Sequence, residues 1–164
     1  MKLDKGVLEI DYKIVEREIL EFIRKTVAKA KAKGVVVGLS GGVDSSVVAK
    51  FCVKALGNHR VIGLLMPTEF TPAQDIVDAN ALAESLGIKT YHIPIDSIVN
   101  MFIKTLSFKT DMAVPLGNIR ARTRMIINYY FANCFNYLVA GTGDRSEILI
   151  GYFTKYGDGG ADFL

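Results

Sequence analysis

The sequence predicts an α/β fold, a parallel sheet with helices on both faces. Three observations carry this. Short apolar, β-branched runs alternate with longer segments whose apolar residues recur at helical spacing, the pattern of strands joined by helical crossovers. Gly34, Gly57-Asn58 and Gly87 each follow a helical segment and end it. A Ser-Gly-Gly loop joins the first strand to the next helix, the arrangement that binds phosphate. The 164 residues are long enough for a real core, and 1–164 is read as a single domain.

Asp11 to Lys33 reads as an amphipathic helix, with Val15, Ile19, Phe22, Ile23 and Val27 on its apolar face and Gly34 at its end. Val35 to Ser40 is an apolar strand, buried on both faces. Val43 to Leu56 returns to helix, with Val47, Val48, Phe51 and Leu56 apolar. Val61 to Met66 is a second strand, stopped by Pro67. Thr71 caps a helix with proline at its first position, running to Leu86. Lys89 to Ile95 is a third strand, and Asp96 caps a helix to about Leu106. Phe108 to Gly117 reads as a loop, and Asn118 caps a long helix to Asn133 with Ile126, Ile127, Tyr130 and Phe131 apolar. Tyr137 to Ala140 is a fourth strand, followed by a short helix from Asp144 to Ile150. Gly151 to Leu164 carries four glycines and no further element.

Composition narrows the classes of function. A net charge of +3 is too small to argue for nucleic acid. The Lys-rich stretch from Arg24 to Lys33 reads as a solvated helix face. Cys52 and Cys134 lie in apolar segments and make neither a disulfide framework nor a zinc site; buried free thiols in a reducing compartment fit them. Charges at Lys2, Asp4, Lys5 and Glu9 leave no signal-peptide core, and no run approaches the ~18 apolar residues that span a bilayer. A cytoplasmic protein away from membranes is expected.

In sheets of this kind, ligands bind beyond the carboxyl ends of the strands. That places the Ser40 loop, Met66 to Phe70 and Gly141 to Glu147 on one rim. In the first loop, Gly41, Gly42 and the N–H groups of Ser45 and Ser46 form a pyrophosphate cradle, with the hydroxyls of Ser40, Ser45 and Ser46 as added donors. A bare strand-to-helix turn capped by Ser40 is the competing reading. The usual phosphate loop carries a lysine, whereas here Asp44 follows the glycines and suggests a bridging Mg²⁺. Glu147 serves two readings equally: a second ligand to that metal, or the partner of Asp144 in a helix capping box. Arg120 and Arg124 share a helix face, and Arg122 points elsewhere. Cations near a helix N-terminus oppose its dipole, and anion binding would explain them, with a solvated helix face as the competing reading. His59 and His92 have no partner at a catalytic spacing.

Taken together, these stretches resemble the N-type ATP pyrophosphatases and, within them, the NAD synthetase family. Gly38 to Ser45 looks like the superfamily's pyrophosphatase loop. Gly117 to Met125, Gly141 to Glu147 and Gly151 to Asp162 are similar to three stretches of NAD synthetases, in a form closer to the archaeal one. The resemblance implies a Rossmann-like fold of the adenine nucleotide alpha hydrolase type. It implies ATP-dependent amidation of deamido-NAD to NAD through an acyl-adenylate, with release of AMP and pyrophosphate. Carried over by position, Gly38, Leu39, Ser40, Gly41, Gly42, Val43, Asp44, Ser45 and Thr142 would contact ATP. Asp44 and Glu147 would hold Mg²⁺, and Arg122, Lys155 and Asp162 would contact deamido-NAD. A homodimer is implied as well. Free ammonia is the expected nitrogen donor, because only ~34 residues precede the loop, too few for a glutaminase domain. The family continues past the equivalent of Leu164, so a C-terminally shortened domain is expected. The competing readings are a fragment that binds nucleotide without turnover, and a related pyrophosphatase that adenylates another substrate.

Overall fold

The computed structural model describes residues 10–164; the charged positions Lys2, Asp4, Lys5 and Glu9 lie outside it. Among these residues six α-helices and four strands follow in order: α1 (Tyr12–Lys29), β1 (Gly34–Gly38), α2 (Val43–Leu56), β2 (Val61–Leu65), α3 (Ala73–Leu86), β3 (Lys89–His92), α4 (Asp96–Thr105), α5 (Ala113–Phe135), β4 (Tyr137–Ala140) and α6 (Arg145–Ile150). The strands are all parallel in the order β3-β2-β1-β4, with Val36 opposite Ile62 on one side and Val139 on the other. The α/β expectation holds.

Side-chain alternation along the strands divides the core into two layers. Val35, Val37, Val61 and Leu65 face one way and pack on Ile23 and Val27 of α1, Ala49 and Cys52 of α2, and Ala79 and Ala83 of α3. Val36, Ile62, Leu64 and Val139 face the other way, onto Val99 of α4 and Ala132 of α5. Since β1 is covered on both faces, all three of its valines are fully buried. The chain winds outward from β1 to β3, then returns through α4 and α5 to lay β4 on the opposite side of β1. That reversal opens a crevice between the carboxyl ends of β1 and β4.

Several boundaries differ from the sequence reading. Helix α1 stops at Lys29, and Lys31 takes the left-handed turn that Gly34 was expected to supply. Gly34 instead belongs to β1, where a Cβ would strike the Arg60 carbonyl and the Tyr137 ring. Thr71 is not the cap of α3: its hydroxyl accepts the Thr68 N–H at 2.9 Å, and Pro72 holds the cap position. Asp96 is the first residue of α4, with Ile95 before it as cap. Helix α5 begins six residues early, at Ala113, with Met112 rather than Asn118 in the cap position. Pro115 stands in its first turn, where a missing N–H costs nothing. Asn118 caps nothing and accepts the Thr154 hydroxyl at 2.8 Å. Arg120, Arg122 and Arg124 therefore lie mid-helix, and the dipole argument against them falls away. On α2 the buried face is Ser45, Ala49, Cys52 and Leu56, while Val47 is exposed. Ile126 and Tyr130 of α5 are also exposed. Cys134 is exposed as well, contrary to expectation, whereas Cys52 is buried.

Gly151 to Leu164 is tied along α5 and β4. The Arg122 Nε donates to the Lys155 carbonyl, and the Val139 N–H donates to the Asp162 carboxylate at 2.7 Å. Phe163 bridges Ala140 as a one-residue extension of the sheet and meets Phe22 edge-on. Among the described residues no helix is long and apolar enough to cross a membrane.

Candidate functional site

A cavity of about 510 Å³ occupies the carboxyl-end rim of the sheet. Gly38, Leu39 and Ser40 come to it from β1, Met66 to Thr68 and Phe70 from the end of β2, and Gly141 and Thr142 from the end of β4. Arg124, Met125 and Asn128 of α5 close one side, and Gly157, Asp158, Gly160 and Ala161 another. The three rim segments expected to meet do meet.

The glycine loop is held by its own serines. The Ser45 Oγ donates to the Gly42 carbonyl at 3.1 Å and accepts the Ser40 N–H at 3.3 Å, with the Ser40 Oγ 3.1 Å away. The Ser40 Oγ also accepts the Gly42 N–H, and the Ser46 Oγ donates to the Gly42 carbonyl at 2.7 Å. The Ser45 and Ser46 hydroxyls are thus turned inward, and Ser45 is buried. Ser40 does not cap α2. Gly42 is the cap residue and provides no side-chain hydrogen bond, so the first-turn N–H groups of a 14-residue helix face the rim unpaired by any side chain. Gly41 has φ +85°, and a Cβ there would run into the Asp75 backbone of α3. Gly42 has an ordinary φ, and among the described residues a Cβ there would meet only the Ser40 Oγ, at 3.3 Å.

The acidic residues stand at the edges. Asp44 is exposed in the first turn of α2. Glu147 forms the capping box: its Oε2 accepts the Asp144 N–H at 3.1 Å, and the Asp144 Oδ1 accepts the Glu147 N–H at 2.8 Å. Neither lines the cavity wall, whereas Thr142 does. Among the described residues no three His, Cys, Asp or Glu side chains gather as a ready metal cage.

The arginine helix divides as its periodicity requires. Arg122 is exposed and joined to Lys155, whose ammonium stands over the Tyr156 ring. Arg124 turns into the cavity, and its Nε donates to the Met66 carbonyl at 3.1 Å. Burial, reinforced by the nearby Arg120 charge, lowers its pKa from the usual guanidinium value. Arg120 lies over the Phe70 ring at 4.8 Å, with its buried Nε unpartnered. Among the described residues these three arginines form no ion pair. Asp162 accepts from Val139 and from the Tyr129 hydroxyl at 3.3 Å, and burial, then that carboxylate, raise the Tyr129 pKa. Asn128 is a cavity residue the sequence reading missed, although it continues the row of Arg120 and Arg124 at steps of four.

Comparison with known proteins fits this geometry. A sequence model of the NAD synthase family matches residues 15–164. The chain is 53% identical over 161 residues to an NH3-dependent NAD+ synthetase of Staphylothermus marinus, covering 98% of this chain and 58% of that protein. An NH3-dependent NAD synthetase of Campylobacter jejuni, solved with a nitrate ion, superposes with a TM-score of 0.88 at 39% identity, over 94% of this chain and 66% of its own. A glutamine-dependent NAD+ synthetase of Acinetobacter baumannii, solved with ADP, gives 0.90 at 30% identity, over 99% of this chain and 33% of its own. The chain thus spans little more than half the length of the curated relative it matches.

Proposed function

Because the chain belongs to the NAD synthase family, we propose that it is a single ATP-pyrophosphatase domain that amidates deamido-NAD to NAD with ATP and ammonia. The observation that carries this reading is the cavity at the carboxyl ends of β1 and β4, lined by Ser40 and Thr142, with the glycine loop and the uncapped N-terminus of α2 following Ser40 directly. The ADP complex of the Acinetobacter baumannii relative supports an adenine nucleotide in this fold.

A carboxylate oxygen of the nicotinate group attacks the α-phosphorus of ATP, and the bond to the departing pyrophosphate breaks. Ammonia then adds to the acyl carbon and loses a proton. The carbon–oxygen bond to AMP breaks, leaving the amide. The N–H groups of Val43, Asp44 and Ser45 receive phosphate oxygens at the positive end of α2. The Ser40–Ser45 hydrogen bonds fix the loop before nucleotide arrives, so little reorganisation accompanies binding. Thr142 adds a hydroxyl donor from the β4 side.

The donor set fits Mg²⁺. Asp44 and Glu147 are oxygen donors on two rim elements, with no cage of their own, and Mg²⁺ is held by one or two carboxylates plus substrate phosphates. When bound, the ion offsets the charge of the departing pyrophosphate. Arg122 and Lys155 offer two exposed cations to the diphosphate of deamido-NAD. Asp162, which fixes Val139 and Tyr129, completes that side as a positioning group. A homodimer is supported by exposed apolar residues on α4 and α5, among them Met101, Phe102, Ile126 and Tyr130.

The test is incubation with ATP, Mg²⁺, ammonium and deamido-NAD. NAD and AMP are expected in equal amounts. Pyrophosphate release with another carboxylate substrate, but none with deamido-NAD, would overturn the assignment.

A further inference from the structure

We propose that Asn128 reads the base of the nucleotide: its amide accepts from the exocyclic amine of adenine and donates to the adjacent ring nitrogen, above a floor formed by Gly38. The inference rests on the ATP reading above and names the residue that would distinguish adenine there.

The first observation is an unsatisfied acceptor. Asn128 lines the cavity, and its Oδ1 is buried without a hydrogen-bond partner among the described residues. A buried amide oxygen left without a donor is costly, so its partner belongs to whatever fills the cavity. Phosphate oxygens and an ionised carboxylate only accept, and none of them serves. The donors on ATP are the base amine and the ribose hydroxyls. An Asn amide meets adenine with two parallel hydrogen bonds, accepting from the amine and donating to the neighbouring ring nitrogen. The same amide faces a carbonyl oxygen in place of the amine on guanine, and one of the two bonds is lost.

The second observation is the glycine beneath it. Gly38 ends β1 and has no left-handed φ. A Cβ there would lie 3.6 Å from the Met66 Cε and 3.9 Å from both amide atoms of Asn128, all ordinary contacts. Gly34, at the other end of the strand, is different: a Cβ there would lie 2.6 Å from the Tyr137 ring. The fold therefore requires glycine at 34 and tolerates a methyl at 38. What a methyl at 38 would take is cavity space. An open floor, the soft Met66 side chain and an amide at the edge form a seat for a flat heterocycle that has a donor on its rim.

The experiment is calorimetric titration of the chain with ATP, GTP, 2′-deoxy-ATP and inorganic tripolyphosphate, at fixed Mg²⁺, for wild type, Asn128→Leu and Gly38→Ala. Both variants are expected to lose about tenfold or more in ATP affinity. Asn128→Leu should also narrow the ATP-over-GTP preference. Both should hold tripolyphosphate within about twofold, since neither changes the phosphate cradle from Gly41 to Ser46. Urea unfolding should show Asn128→Leu as stable as wild type or more so, because it removes an unsatisfied acceptor; a merely structural asparagine would give the opposite sign. Unchanged ATP affinity in Asn128→Leu would overturn the proposal, with a buried water satisfying the Oδ1. So would an equal loss for tripolyphosphate. If Asn128→Leu erases a preference for ATP over 2′-deoxy-ATP and leaves the ATP-over-GTP preference, the partner is a ribose hydroxyl and the base reading falls. A wild-type chain that binds tripolyphosphate but no nucleotide refutes the base seat alone. One that binds none of the four refutes the nucleotide reading beneath it.

Discussion

The two adjacent glycines of the phosphate loop have different jobs, and replacing each with alanine separates them. Gly41 has φ +85°, and a Cβ there would come within 2.7 Å of the Asp75 Cα and 2.8 Å of its carbonyl carbon. Both are backbone atoms of α3, so no rotamer change relieves the overlap. The left-handed backbone costs alanine about 1–2 kcal/mol, and forcing a methyl into packed backbone adds about 1–3 kcal/mol. Gly41→Ala should therefore destabilise by about 2–5 kcal/mol, which lowers Tm by roughly 4–20 °C in a domain of this size. Gly42 has φ −80°, and its Cβ would meet only the Ser40 hydroxyl at 3.3 Å, a side chain free to rotate. Gly42→Ala should cost less than about 1 kcal/mol, the usual scale for a cap position. Its methyl would stand where phosphate oxygens approach, so the variant should fold normally and lose ATP affinity by about tenfold or more. Thermal melts and ATP titrations of the two variants provide the assay. Equal destabilisation by both substitutions, or full ATP affinity in Gly42→Ala, would refute the division between a glycine that shapes the loop and one that admits the ligand.

Other consequences follow from single contacts. Asp162→Ala leaves the Val139 N–H without its 2.7 Å acceptor and should cost about 1.5–3 kcal/mol in urea unfolding, with Asp162→Asn losing less; an unchanged midpoint would remove Asp162 from the frame of the site. In a thiol-labelling time course, the exposed Cys134 should react rapidly and the buried Cys52 only on unfolding; two fast thiols would contradict the packing of α2 on the sheet. Burial pushes the Cys52 thiol up to about 12 from 9.0, so the folded state holds its proton longer than the unfolded state does. The resulting stability is complete below pH 9 and is lost as pH rises from 9 towards 12, by up to about 1.4 kcal/mol per pH unit. Urea melts across that window should be flatter for Cys52→Ala than for wild type, and parallel curves would sink the argument. Asp44→Asn should abolish Mg²⁺-dependent turnover and leave Tm unchanged, because Asp44 is exposed; retained activity would take it out of the metal site.

Much of the fold was legible because parallel strands covered on both faces read as unbroken apolar runs, as in Val35 to Val37. The ends of α2 and α3 were legible for a local reason as well, since Gly57 and Gly87 take the positive φ that closes each helix. Errors arose where tertiary contacts outweigh local preference. Phe108 to Gly117 read as a loop, yet proline is harmless in a first turn, and α5 runs through Pro115 and Gly117. The buried face of α2 was misplaced because small residues, Ser45, Ala49 and Cys52, let it pack close to the sheet, and hydropathy alone favours the exposed Val47. Gly151 to Leu164 showed no pattern, since its order comes from distant partners: Asn118 for Thr154, Arg122 for Lys155 and Val139 for Asp162. In the site, the position of the loop on the rim could be read from spacing, whereas spacing left Glu147 evenly between a metal ligand and the capping box that the structure shows. Asn128 was missed although it continues the row of Arg120 and Arg124, because α5 meets the sheet on one side and the C-terminal segment on another, which blurs its periodicity.

The central claim is that the cavity brings the carboxylate of deamido-NAD to the α-phosphorus of ATP. The most direct measurement uses deamido-NAD labelled with ¹⁸O in that carboxylate and follows the label by mass spectrometry. One labelled oxygen should appear in the AMP released with each NAD formed. Label in orthophosphate alongside ADP, or no label in any phosphoryl product, would contradict it.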